Sequence, residues 1–149
     1  VVGGGQASCL LAPLVGRQAG LLLADTARYA EKQLFVAQCG VDPARIAAIG
    51  GIEARGVDLW AERERVLDLL TEAGKNLLAA GRVQVLLLGC LSFLGLAHPL
   101  SERLGVPVVD PAVAPVALAE CLVRQGLKTS RKAYPAPPLR KRTWQSGQL

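Results

Sequence analysis

With 149 residues, a net charge of +5, 51% hydrophobic residues and only 4% aromatic ones, the chain has the size and composition of one compact α/β domain. No apolar stretch reaches the roughly 18 to 20 residues of a membrane span and no charged segment precedes an apolar signal core, which argues against a membrane protein and makes the cytoplasm the expected compartment. The basic excess is local, in Lys128, Arg131, Lys132, Arg140, Lys141 and Arg142, interrupted by Pro135, Pro137 and Pro138; with no helix-turn-helix, zinc or RNA-binding motif beside it, this reads as a solvated tail or a strap across a neighbouring subunit, not a nucleic-acid arm.

In chain order, helices and strands alternate. Val1-Val2 is the end of a strand, and Gly3-Gly4-Gly5 leads into a helix over 6–15. A strand over 20–23, a helix over 26–39 and a strand over 45–49 follow, with Gly16, Gly40 and Gly50-Gly51 as punctuation. The longest helix is expected over 58–80, where Val66, Leu69, Leu70, Ala73, Leu77 and Leu78 recur at helical spacing. Residues 83–88 form an apolar strand that ends at Gly89-Cys90. A helix over 94–103, a strand over 106–109 and a helix over 113–123 complete the pattern. That order predicts an α/β fold with a mostly parallel sheet flanked by helices and right-handed crossovers.

Cys90 is the candidate reactive residue. It ends a buried strand, and ligands in open α/β sheets bind just beyond the carboxyl ends of the strands. A helix starting at Leu94 would turn its amides and dipole toward the sulfur and favour a thiolate, a usable base or nucleophile; the bland alternative is a small buried hydrophobe. Cys9, Cys39 and Cys121 read as helical core residues, since the spacing of the four cysteines suits neither a disulfide framework nor a metal site. His98, the single histidine, suits a surface or capping role better than proton transfer. Gly3-x-Gly5 before a helix also looks like the start of a dinucleotide fingerprint, but the third small residue is Ser8 in place of Gly, so no nucleotide cofactor is expected.

Four stretches resemble the aspartate/glutamate/hydantoin racemase superfamily, and its hydantoin and allantoin racemases most closely: Leu87-Leu88-Gly89-Cys90, the run from Leu100 to Asp110, Ala117-Leu118-Ala119-Glu120, and Gly126-Leu127-Lys128-Thr129-Ser130 with the residues up to Tyr134. The resemblance implies a Rossmann-like lobe of the aspartate/glutamate racemase type. It implies a cofactor-independent racemase or epimerase in which cysteines move a proton at the carbon alpha to a carbonyl of a 5-substituted hydantoin or allantoin. On it, Cys90 is the catalytic thiol, while Gly4, Gly5, Gln6, Thr26, Gly89, Leu91 and Ser92 bind substrate, largely through backbone amides. No metal or other cofactor is implied. The expected partners are a small-molecule substrate and further copies of the chain, with no nucleic acid and no membrane.

The resemblance further implies that this chain corresponds to the later part of the family pattern, without the half that carries a first catalytic cysteine. Residues 1–126 would be the α/β domain, with about 5–105 in one lobe and 106–126 crossing back to an incomplete second one; 127–149 would be the basic tail. An orphaned strand at 106–109 would expose apolar surface, so instability, a partner or repacking onto the remaining sheet is expected. Two other outcomes stand beside a racemase: a single-cysteine arylmalonate-type decarboxylase, and an inactive fragment of the family.

Overall fold

The fold is taken from a computed structural model that describes residues 2–136, apart from Arg55 and the side chains of Arg28 and Tyr29. The expected strand end at Val1 and the tail residues Pro137, Pro138, Arg140, Lys141 and Arg142 lie outside the described residues. The elements are α1 (Gly4–Val15), β1 (Ala19–Leu23), α2 (Tyr29–Gln38), β2 (Ile46–Gly51), α3 (Arg63–Ala79), β3 (Val85–Leu88), α4 (Ala97–Leu104), β4 (Val108–Val109) and α5 (Val113–Arg124), with short 3-10 turns at Thr26–Arg28, Pro43–Arg45 and Leu91–Phe93. The four strands among the described residues are all parallel, in the order β2-β1-β3-β4. The predicted α/β class with a parallel, helix-flanked sheet is therefore what the chain forms. The strand expected at 106–109 is present as β4, paired with β3, with Leu86 opposite Val108 and Leu87 opposite Val109.

Alternation along the central strands builds two cores. Leu22, Leu86 and Leu88 point to the face covered by α3 and α4, where Val66, Leu70, Phe93 and Leu100 are fully buried. Leu21, Leu23, Val85 and Leu87 point to the other face, against Cys9 and Ala12 of α1 and Val36 of α2. Each large aliphatic side chain removed from water contributes roughly 1.5 to 3 kcal/mol, so the sheet is held mainly by these two layers. Farther out, α5 lies along α1.

Several boundaries differ from expectation for identifiable reasons. Gly4 and Gly5 are helical, and Gly50 and Gly51 complete β2, so these glycines are not punctuation. α3 starts at Arg63 and not at 58, because Glu62, at φ −106° and ψ 42°, is not helical, and residues 59–62 form a separate turn whose Trp60 and Ala61 N–H groups the Asp58 carboxylate accepts. These hydrogen bonds also hold the Asp58 carboxyl below its usual range. The helix expected from Leu94 is a 3-10 turn at Leu91–Phe93, then Gly95 at φ +80°, and only then α4; a positive φ cannot continue a right-handed helix. The N-terminus of α4 is thus not next to Cys90. Cys9 and Cys39 are buried as predicted, whereas Cys121 is exposed.

Candidate functional site

The crevice follows from strand order. β1 and β3 are neighbours, but α2, which follows β1, covers one face of the sheet, while α4, which follows β3, covers the other. Helices leaving adjacent strands in opposite directions open a gap beyond the strands' carboxyl ends, and α/β proteins place ligands there. Ala24 to Thr26 lie on one side of that gap and Gly89 to Phe93 on the other.

Four of the predicted residues, Gly4, Gly5, Gly89 and Leu91, line one cavity of about 210 Å³ at this edge, together with Ser8, Cys9, Lys32, Phe35 and Pro111. Its walls depend on missing side chains. A Cβ on Gly4 would collide with the Pro111 carbonyl, and one on Gly89 would sit 2.6 Å from Leu23 Cδ2 and 2.9 Å from the Leu22 carbonyl oxygen. Gly4, Gly5 and Gln6 are the first residues of α1, so their N–H groups have no acceptor within the helix and the positive end of its dipole faces this edge. The Lys32 ammonium lies over the Phe35 ring, 5.6 Å from its centroid. The cavity therefore offers hydrogen-bond donors and positive potential to a carbonyl or other electron-rich oxygen.

The remaining predicted residues are not part of that wall. Gln6 is exposed on the first turn of α1. Thr26 is exposed and donates both its N–H and its hydroxyl to the Glu53 carboxylate, and Glu53 has a φ of 44°, the one positive value among the described non-glycine residues. Cys90 is half-buried and extended, with φ −134° and ψ 133°, and packs against the core on the α3/α4 side. Ser92 is half-buried, and its carbonyl accepts from Arg63 at 3.1 Å. Gly89, read as a donor to substrate, already donates its N–H to the Leu22 carbonyl at 2.7 Å, as a continuation of the sheet. Gly89 thus shapes the cavity through its missing side chain while its amide serves the sheet.

Three groups were not singled out from sequence. Cys9 faces the cavity, and burial pushes its thiol from the usual 9.0 up to about 12, with Cys39 beside it adding to the rise. Arg63 and Asp110 both reach the turn after Cys90. Cys9 had a signal, lying one turn into a helix that starts with the glycine run; Asp110 had a weaker one, at the end of a strand; Arg63 had none, since it sits in an ordinary polar stretch. His98 is a surface residue, 3.6 Å from Glu102 one helical turn away. No cluster of metal-ligating side chains occurs among the described residues, and none of the described helices is long and apolar enough to cross a membrane.

Residues 1–119 match the family described as Asp/Glu/Hydantoin racemase. Over 84 residues the chain is 38% identical to the hydantoin racemase of Paenarthrobacter aurescens, a stretch covering 55% of this chain and 36% of that protein. Over 82 residues it is 37% identical to the hydantoin racemase of Pseudomonas sp. strain NS671, covering 54% and 33%. Its backbone superposes on the allantoin racemase from Klebsiella pneumoniae with a TM-score of 0.83 at 23% identity, over 97% of this chain and 59% of that one. For the allantoin racemase from Pseudomonas fluorescens the TM-score is 0.74 at 26% identity, over 95% and 60%. The matched stretch is thus about a third of the length of the curated relatives, and the superposition covers about three-fifths of the solved structures.

Proposed function

The chain belongs to the Asp/Glu/hydantoin racemase family, and from that premise we propose that it carries a proton-transfer thiol, Cys90, of a cofactor-independent racemase or epimerase acting on a 5-substituted hydantoin or on allantoin. The observation that carries the reading is the place of Cys90. It is the second residue beyond β3, at the gap between β1 and β3, one residue from the glycine that walls a donor-rich cavity.

The chemistry is a balanced proton exchange. The Cys90 thiolate takes the hydrogen from the carbon beside a carbonyl, the sulfur becomes a thiol, and the C–H electron pair moves onto the carbonyl as an enolate. Donors at the N-terminus of α1 stabilise the negative oxygen that develops. Return of a proton to the same face regenerates the starting enantiomer, whereas delivery by an acid on the opposite face inverts it. On the same reading residues 1–126 are the α/β domain and 127–149 are the tail.

The test is incubation with an optically pure 5-substituted hydantoin in deuterated water beside a Cys90→Ser variant, following exchange at C5 by NMR and inversion by chiral chromatography. Cys90-dependent exchange is expected. Inversion with it means that an opposite-face acid is present, and exchange alone means that one thiol works. Exchange no faster than in the Cys90→Ser variant overturns the reading.

A further inference from the structure

Cys90 leaves the sheet into a turn that two charged side chains from different elements hold, and we infer that Arg63, aided by Asp110, is the positioning residue that sets where the Cys90 sulfur stands. The inference rests on the reading of Cys90 as the proton-transfer thiol. Arg63 is the first residue of α3. Its Nη1 donates to the Ser92 carbonyl at 3.1 Å and its Nη2 to the Leu94 carbonyl, so one guanidinium spans two main-chain oxygens of the turn. Both bonds end on carbonyls and neither on a carboxylate.

The guanidinium is itself held. Its centre lies 5.2 Å from the centroid of Trp60, whose backbone N–H is fixed by the Asp58 carboxylate at 2.9 Å. Asp110, just past the end of β4, accepts the Gly95 N–H at 2.8 Å through one oxygen, and through the other the N–H groups of Ala112 at 2.8 Å and Val113 at 3.3 Å. Inside the turn the Cys90 carbonyl accepts from Phe93 N–H at 3.1 Å. Residues 91–95 are therefore fastened to α3, to the β4–α5 junction and to Cys90 itself.

A short turn without its own regular structure does not hold such a place alone. Solvent competes for its carbonyls, and a sulfur misplaced by about 1 Å costs on the order of 100-fold in a proton transfer. A planar fork reaches two oxygens at fixed separation, whereas an ammonium is a point donor, so Arg63→Lys is not a conservative change here.

The experiment measures alkylation of each cysteine by iodoacetamide with mass spectrometry, in wild type, Arg63→Met, Arg63→Lys and Asp110→Asn, beside the C5 exchange assay. Met keeps the apolar stem but removes both donors. In Arg63→Met, Cys90 should alkylate about threefold faster or more relative to exposed Cys121, while buried Cys9 and Cys39 stay protected. The exchange rate constant should fall roughly 10- to 100-fold with KM within about twofold, and added guanidinium ion should restore part of it. Arg63→Lys and Asp110→Asn should lie between wild type and Arg63→Met. An unchanged Cys90 to Cys121 ratio in Arg63→Met overturns the inference. So does a rise shared by Cys9 and Cys39, which marks general loosening; if Arg63→Met does not fold, the same two criteria apply to Arg63→Lys. Absence of exchange in wild type sinks the racemase reading but leaves the alkylation ratios to decide the positioning role.

Discussion

The two faces of the sheet are made from the same strands and are covered in different ways. Beneath α3 and α4, Phe93, Leu70, Val66 and Leu100 are fully buried. Beneath α1 and α2 the cover is Cys9, Ala12, Val36 and Cys39, and the cavity at the glycine turn opens there. Next to it α1 and α5 leave Leu14 at 78%, Val116 at 67% and Val123 at 76% exposure. One layer is filled by large aliphatic and aromatic side chains, whose burial stabilises the fold. The other is covered by smaller side chains, and backbone and a ligand-sized cavity come close together there.

The widest separation between the faces should come from truncation. Leu70→Ala is expected to lower the unfolding free energy by about 2 to 5 kcal/mol, while Cys9→Ala on the thin face should cost less than about 1.5 kcal/mol, both by denaturant titration. Equal losses would erase the distinction. The next effect is a pH dependence at the alkaline end, carried by the thin face. Burial lifts the Cys9 thiol from 9.0 to about 12, so the folded state holds that proton more tightly than the unfolded chain does. The contribution is fully present below pH 9 and is lost as pH rises from 9 toward 12, at up to about 1.4 kcal/mol per pH unit for the one group. Wild type should therefore lose stability more steeply than Cys9→Ala across that window, and parallel slopes would count against it. The smallest change is at the surface: Leu14→Ser should move stability by no more than about 0.5 kcal/mol, checked by thermal melting.

The layers were legible because apolar runs and helical spacing report burial directly, as at 83–88 and at Val66, Leu70 and Leu77. The side-by-side order of the strands was not. Nothing in the run at Ala19 to Leu23 tells it to lie between β2 and β3, since that choice is made by helices that pack elsewhere. Cys121 looked like a core residue because an Ala- and Leu-rich helix reads alike whether or not anything covers it. In the candidate site, the glycines and Cys90 could be picked out by their place at strand and helix ends. The fastening of the turn by Arg63 and Asp110 could not, because it depends on two side chains that meet only after the sheet has formed. The early start predicted for α3 failed for a local reason: Glu62 takes a non-helical backbone, so the turn that Asp58 heads stays separate from the helix.

The position of β1 in the sheet has a consequence for the order of folding. Ala19 pairs with Ile46 on one side and with Val85 on the other, so neither of its partners is local and the second is made much later along the chain. Closing the longer loop costs only slightly more entropy, but it slows the search, and a sheet made wholly of such crossovers has few short-range contacts from which to nucleate. During synthesis β1 and β2 can form their ladder while the other edge of β1 still waits for residues 85–88. The seam between β1 and β3, where the candidate thiol emerges, is therefore zipped late, and a chain interrupted in mid-synthesis would present an open strand edge in place of a site.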